Sequence, residues 1–141
     1  DWYCNSGWDP NLICCLYATA PFVNSKDIAK AIDIFQLDNI QRFIFSATTY
    51  RFPIQRAFRI NSDGFAEMLN PDLFKARSQD LEVAYHDAAQ FYLGRTNTWL
   101  RNNNLFEGCK PFVLPSWQVQ DIDTEDDWER AELMFKILNI N

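Results

Sequence analysis

The chain has 141 residues and a mass of 16.6 kDa, a length that favours one domain and hides roughly 68–70% of the unfolded surface. Hydrophobic residues at 48%, charged residues at 23%, and only 4 glycines and 6 prolines exclude disorder, collagen-like repeats and low-complexity sequence. A net charge of −6 disfavours a partner held by phosphate neutralisation, so no nucleic acid is expected, although a few basic side chains and a metal ion can hold one phosphorylated small molecule.

The first strong element is LICCLYATA, residues 12–20, a continuous apolar run that reads as a strand covered on both faces and stopped by Pro21. Ser25 stands where a helix N-cap belongs, and Ile28, Ala31, Ile32 and Phe35 follow on one helical face. FIFSATTY, residues 43–50, is rich in β-branched and aromatic residues and completes a strand–helix–strand order, which predicts a parallel crossover. Ser62-Asp63-Gly64 separates two short runs within 57–69 and signals a hairpin. Residues 70–84 are polar and turn-rich, and AAQFYLG, residues 88–94, reads as another buried strand. Thr96 or Thr98 is expected to cap a short helix through Trp99 and Leu100, and residues 111–120 look extended. A final helix begins near Glu125, with Trp128, Ala131, Phe135 and Leu138 as its apolar face. The pattern is α/β: a mostly parallel sheet with one inserted antiparallel hairpin region, in a single domain spanning 1–141.

Cys4, Cys14, Cys15 and Cys109 match no zinc-site spacing, and the adjacent pair in an apolar run reads as small buried hydrophobes, which suits a reducing cytoplasm. No stretch approaches the roughly 20 apolar residues that cross a bilayer, so no membrane role is expected.

Three clusters could carry chemistry. In VQDIDTEDDWERAE, residues 119–132, Thr124 and Asp127 fit a capping box, and Glu125, Asp126 and Asp127 suit the first helical turn. Asp121 and Asp123 precede that cap, two apart on an extended segment, where both carboxylates point to one side and suit Mg²⁺; solvated turn acids are the alternative. Residues 76–92 gather Arg77, Gln79, Asp80, Tyr85, His86, Asp87, Gln90 and Tyr92, a polar density that is either solvated or converges on a polar ligand. His86 has no second histidine or cysteine at ligand spacing, and neither a GxSxG elbow nor an HExxH helix occurs. Arg56 or Arg77 could hold a carboxylate through a planar fork, whereas Arg51 reads as a surface residue.

Taken in order, YATAPF at 17–22, FPIQRAF at 52–58, RSQDLEVAYHDAAQFY at 77–92 and QDIDTEDDWERAE at 120–132 resemble the cytidylyltransferases that activate nine-carbon acidic sugars as CMP-sugars, most of all those acting on pseudaminic acid. The resemblance runs through nearly the whole chain. It implies a Rossmann-like nucleotidyltransferase fold and transfer of CMP from CTP to the sugar with release of pyrophosphate. It implies that Asp121 and Asp123 are the catalytic, Mg²⁺-binding pair. By the same resemblance Arg77, and more loosely Arg56, meet the sugar carboxylate, while Tyr85, His86, Asp87, Gln90 and Tyr92 face the sugar together with Gln79. Tyr17 and Thr19 stand in the strand-end motif where sialic acid enzymes carry glutamine, a bulkier wall compatible with a deoxygenated sugar. The family's opening strand and its glycine- and lysine-rich CTP loop have no counterpart here. A fragment lacking that loop is expected to be inactive alone, and its parent is expected to be a cytoplasmic enzyme. A homodimer through residues 52–80 is expected on resemblance only. The competing expectations are a sialic or legionaminic acid enzyme, or a noncatalytic sugar-binding or dimerisation fragment.

Overall fold

A computed structural model describes residues 5–101 and 104–138; Cys4 lies outside them. The chain divides into two compact units, one formed by residues 1–48 with 87–141, the other by residues 49–86.

The larger unit is built on a four-stranded sheet of order β1-β5-β2-β6, from β1 (Leu12–Leu16), β2 (Ile44–Thr49), β5 (Tyr85–Arg95) and β6 (Lys110–Val113). Helix α1 (Ser25–Leu37) follows β1, α2 (Thr96–Leu100) follows β5, and α3 (Glu125–Leu138) closes the chain. Alternation along the strands divides the apolar residues between two faces. On one face Ile44, Phe91 and Leu93 pack with Ala31 and Phe35 of α1. On the other, Phe45, Ala47 and Tyr92 pack with Cys15, Trp99, Leu105 and Cys109.

The sheet is mixed rather than mostly parallel. Among the described residues β2 and β6 pair in parallel, while β1 pairs antiparallel with β5. The Tyr50 N–H donates to the Ala84 carbonyl and the Gln90 N–H to Ser46 Oγ, so β5 also runs opposite to β2. Since the chain returns to β2 directly after residues 49–86, β5 takes the place between β1 and β2 that a simple crossover would leave to those two strands.

Several boundaries move for local reasons. β1 stops at Leu16, not residue 20, because the Ala20 N–H turns back to the Tyr17 carbonyl. The N-cap of α1 is Asn24 rather than Ser25: Asn24 Oδ1 accepts the Asp27 N–H at 2.9 Å and Asn24 Nδ2 donates to Asp27 Oδ2 at 2.6 Å. Neither Thr96 nor Thr98 caps α2; their hydroxyls donate to the Pro10 and Gln41 carbonyls instead. The extended reading of 111–120 holds only to Val113, and a 3₁₀ turn occupies Ser116–Gln118. Of the expected apolar face of α3 only Ala131 is buried, while Trp128 and Phe135 are 53% and 59% exposed.

The smaller unit carries the hairpin that Asp63-Gly64 signalled: β3 (Phe58–Ile60) pairs antiparallel with β4 (Ala66–Met68). Asn61 Oδ1 accepts the N–H groups of Asp63 and Phe65, Gly64 takes a positive φ of 85° in the turn, and Arg59 forks onto Glu67 across the strands.

Candidate functional site

In the larger unit the sequence candidates gather at one end of the sheet, where β1 ends and β5 begins. The Tyr17 N–H continues the β1–β5 ladder by donating to the Gln90 carbonyl at 3.1 Å. Just beyond, the Thr19 carbonyl accepts the Ile122 N–H at 3.0 Å, which ties the segment carrying Asp121 and Asp123 to the end of β1. Gln90 is 1% exposed, and its Nε2 donates at 2.8 Å to the Gln118 carbonyl, holding the chain just before the acids to β5. Tyr17, Thr19, Gln90 and Asp121 thus belong to one hydrogen-bonded region.

Tyr92 sits behind this rim, 3% exposed, with its ring centroid 5.2 Å from that of the half-exposed Tyr17. Its hydroxyl donates to Asp87 Oδ2, while Asp87 Oδ1 accepts the Ala89 N–H at 2.8 Å. Burial first, then the Asp87 carboxylate, push the Tyr92 phenol well above its ordinary value of 10.0. It stays a proton donor at every physiological pH.

The capping part of the acidic segment forms as its spacing suggested. Thr124 and Asp127 form the capping box: Asp127 Oδ2 accepts the Thr124 N–H and hydroxyl, and Thr124 Oγ1 accepts the Asp127 N–H at 3.2 Å. The Thr124 hydroxyl above all, and then the backbone N–H groups of Asp123 and Thr124, hold the Asp127 carboxyl below its ordinary value. Gln120 Nε2 donates both to Asp127 Oδ1 and to the Asp121 carbonyl, but the Asp121 carboxylate lies outside this network. Asp121 is half-buried, and its Oδ1 is enclosed without a hydrogen-bond partner. A carboxylate oxygen left that way costs about 1–3 kcal/mol or more, and a cation is a partner that would satisfy it. Asp123 is exposed two residues on. Among the described residues no three His, Cys, Asp or Glu side chains gather as a metal site. A divalent ion held by Asp121 and Asp123 would therefore draw its other ligands from water or a bound anion, a donor set that fits Mg²⁺.

The remaining candidates belong to the smaller unit. Arg56 is exposed and lines an open cleft of about 550 Å³ with Phe52, Ile54, Phe58 and Ser78. Arg77 forks onto Asp80, with Nε–Oδ2 at 2.7 Å and the Arg77 side chain 71% exposed. Gln79 lines a second cleft of about 340 Å³ with Tyr50, Phe52 and Val83. Tyr85 is exposed, and the His86 ring meets the Tyr50 ring at a tilt of 53°, centroids 4.7 Å apart.

Two residues that sequence reasoning passed over support the site. Gln118 accepts Gln90 through its carbonyl and donates through its amide to Asp27 Oδ2. Ser46, fully buried on β2, accepts two N–H groups of β5. The one available signal was a serine in the apolar run FIFSA, since a buried hydroxyl needs partners.

Over 126 residues, or 89% of its length, the chain is 43% identical to proteins named pseudaminic acid cytidylyltransferase from two Campylobacter jejuni strains, serotypes O:23/36 and O:2, covering 54% of each. The chain is a homologue of these cytidylyltransferases. It is also 24% identical over 115 residues, 81% of its length, to 22% of a Helicobacter pylori protein named pseudaminic acid cytidylyltransferase and UDP-2,4-diacetamido-2,4,6-trideoxy-beta-L-altropyranose hydrolase. The chain thus spans about half the length of the Campylobacter relatives. No protein-family model matches it.

Proposed function

We propose that this chain is part of a cytidylyltransferase that transfers CMP from CTP to pseudaminic acid, a nine-carbon acidic sugar, releasing pyrophosphate. The observation that carries this reading is the 43% identity to two pseudaminic acid cytidylyltransferases, which extends through 89% of the chain. The site supports it through the unpartnered Asp121 oxygen beside the end of β1.

In this reading the anomeric hydroxyl of the sugar attacks the α-phosphorus of CTP in line, and no covalent enzyme intermediate forms. Asp121 and Asp123 hold Mg²⁺, which when bound offsets the charge that develops on the phosphate oxygens. Tyr17 forms an apolar wall for the sugar, with Tyr92 fixed behind it. Arg77 and Arg56 are the proposed partners of the sugar carboxylate, with Gln79, Tyr85, His86 and Asp87 completing the proposed sugar-binding set; Gln90, 1% exposed and bonded to the Gln118 carbonyl, has no surface to offer a sugar and supports the site from behind. For Arg77 this means exchanging its exposed pairing with Asp80, worth little in water, for a ligand carboxylate. A homodimer through the smaller unit is part of the proposal, supported by Phe52, Phe58, Ile60, Phe65 and Phe74, all more than half exposed. A cytoplasmic location is the proposed setting; no helix among the described residues is long and apolar enough to cross a membrane.

The test is pyrophosphate release from CTP by the complete enzyme with pseudaminic, sialic and legionaminic acids in turn. Turnover is expected with pseudaminic acid and Mg²⁺, falling by roughly a hundredfold or more in Asp121→Asn. The 141 residues alone are expected to show none. Preference for another sugar would overturn the substrate assignment, and Asp121→Asn at full activity would overturn the metal site.

A further inference from the structure

The consecutive N–H groups of Gln90 and Phe91 both donate to Ser46 Oγ, at 3.0 and 3.1 Å. Successive N–H groups of a flat strand point to opposite edges, so two aimed at one atom require a kink. The kink is at Ala89, with a φ of +49° in the middle of β5. Glycine normally occupies such a left-handed bulge position, and a residue with a Cβ there is strained. That strain persists only where surrounding contacts over-determine it. Two contacts do so here: Asp87 Oδ1 holds the Ala89 N–H from before the kink, and Ser46 Oγ holds the next two N–H groups from β2.

We infer that Ser46 is a positioning residue of this site, its hydroxyl oxygen locking the Ala89 bulge so that the Asp87 carboxylate reaches the Tyr92 hydroxyl and Tyr92 backs the Tyr17 wall. The geometry also explains Gln90: the same bulge turns its buried amide toward the Gln118 carbonyl just ahead of the acidic segment. Without the bulge, restored alternation would move Asp87 to the opposite face from the one that meets Tyr92. The functional meaning of this lock rests on the sugar-binding reading above; the lock itself does not.

The experiment is hydrogen exchange at the Gln90 and Phe91 amides of the full chain, with ultraviolet titration of tyrosine alongside. Ser46→Ala is expected to speed exchange at both amides at least tenfold relative to Leu93 and to bring Tyr92 ionisation down toward the ordinary tyrosine range. Leu93→Val, a core control on the same strand, is expected to leave that titration unmoved. Ala89→Gly added to Ser46→Ala should recover part of the protection, since it removes the strain that the hydroxyl opposes. Unchanged protection in Ser46→Ala, or a titration shift of equal size in Leu93→Val, overturns the inference. Should Ser46→Ala fail to fold, Ser46→Cys keeps the volume with a weak acceptor and gives the same comparison. Wild-type exchange at the two amides as fast as at exposed Asn104 would overturn it without any variant. If the complete enzyme transfers no CMP while the exchange results hold, the functional reading fails and the lock stands.

Discussion

The two units differ in where they put their apolar residues. Every buried hydrophobic among the described residues lies in the larger unit, from Ala20 to Phe45 and Ala47 and from Ala88 to Ala131, and none within 49–86. The smaller unit instead exposes Phe52, Phe58, Ile60, Phe65, Phe74 and Val83, each more than half accessible. It is held by turns, the Arg59–Glu67 pair and backbone bonds such as Leu69 N–H to the Ala57 carbonyl at 2.9 Å. The lesson is that similar side chains act in opposite ways: in one unit they supply the stability of the fold, and in the other they are surface that a partner could cover.

Substitution should separate these roles sharply. Phe91→Ala, in the core cluster with Phe35 and Ile44, is expected to cost about 3–5 kcal/mol by chemical denaturation, whereas Phe58→Ala should stay within roughly 0.5 kcal/mol for the monomer. If Phe58→Ala instead matches Phe91→Ala, the smaller unit has an interior of its own and the contrast fails. The next effect concerns Gly94, where a Cβ would lie 2.5 Å from the Phe43 ring and 3.3 Å from Trp99 Nε1. Phe43 is 2% exposed and packs edge-on against Trp99, so it has little room to yield. Gly94→Ala should cost about 1–3 kcal/mol, and an unchanged denaturation midpoint would show a looser sheet than described.

The cap of α3 comes next. Thr124→Ala removes the hydroxyl that the Asp127 N–H donates to and is expected to cost about 1 kcal/mol. The Asp127 carboxyl is held below its ordinary value of 3.8, so its stabilising effect is complete above that pH and is lost as the pH falls through the lower folded-state value. Acid unfolding followed by circular dichroism should therefore be shallower at low pH in Thr124→Ala than in the wild type. Tyr92 carries the opposite sign: its phenol is raised, so stability is complete below about pH 10 and declines above it as the unfolded chain ionises. Tyr92→Phe should flatten the alkaline limb. The smallest effect is expected from Arg77→Ala, less than roughly 0.5 kcal/mol, because its pairing with Asp80 is a solvent-exposed surface contact. A larger loss would mean that the smaller unit depends on that pair.

Much of this molecule could be read from local chemistry. The apolar period of residues 28–35, the Thr124–Asp127 box and the Asp63-Gly64 turn each state their conformation within a few residues, and each forms. Asp127 is bound into the helix terminus as the box implied, and the Asp121 carboxylate stays outside it. The Ala89 bulge, the burial of Gln90 and the role of Ser46 gave no comparable signal, because each depends on which strand lies beside β5. Helix periods, caps and tight turns involve groups a few residues apart, so the order of side chains alone determines them. Strand neighbours, the antiparallel placement of β5 and the division of apolar residues between interior and surface join groups tens of residues apart, and only the packed chain decides those.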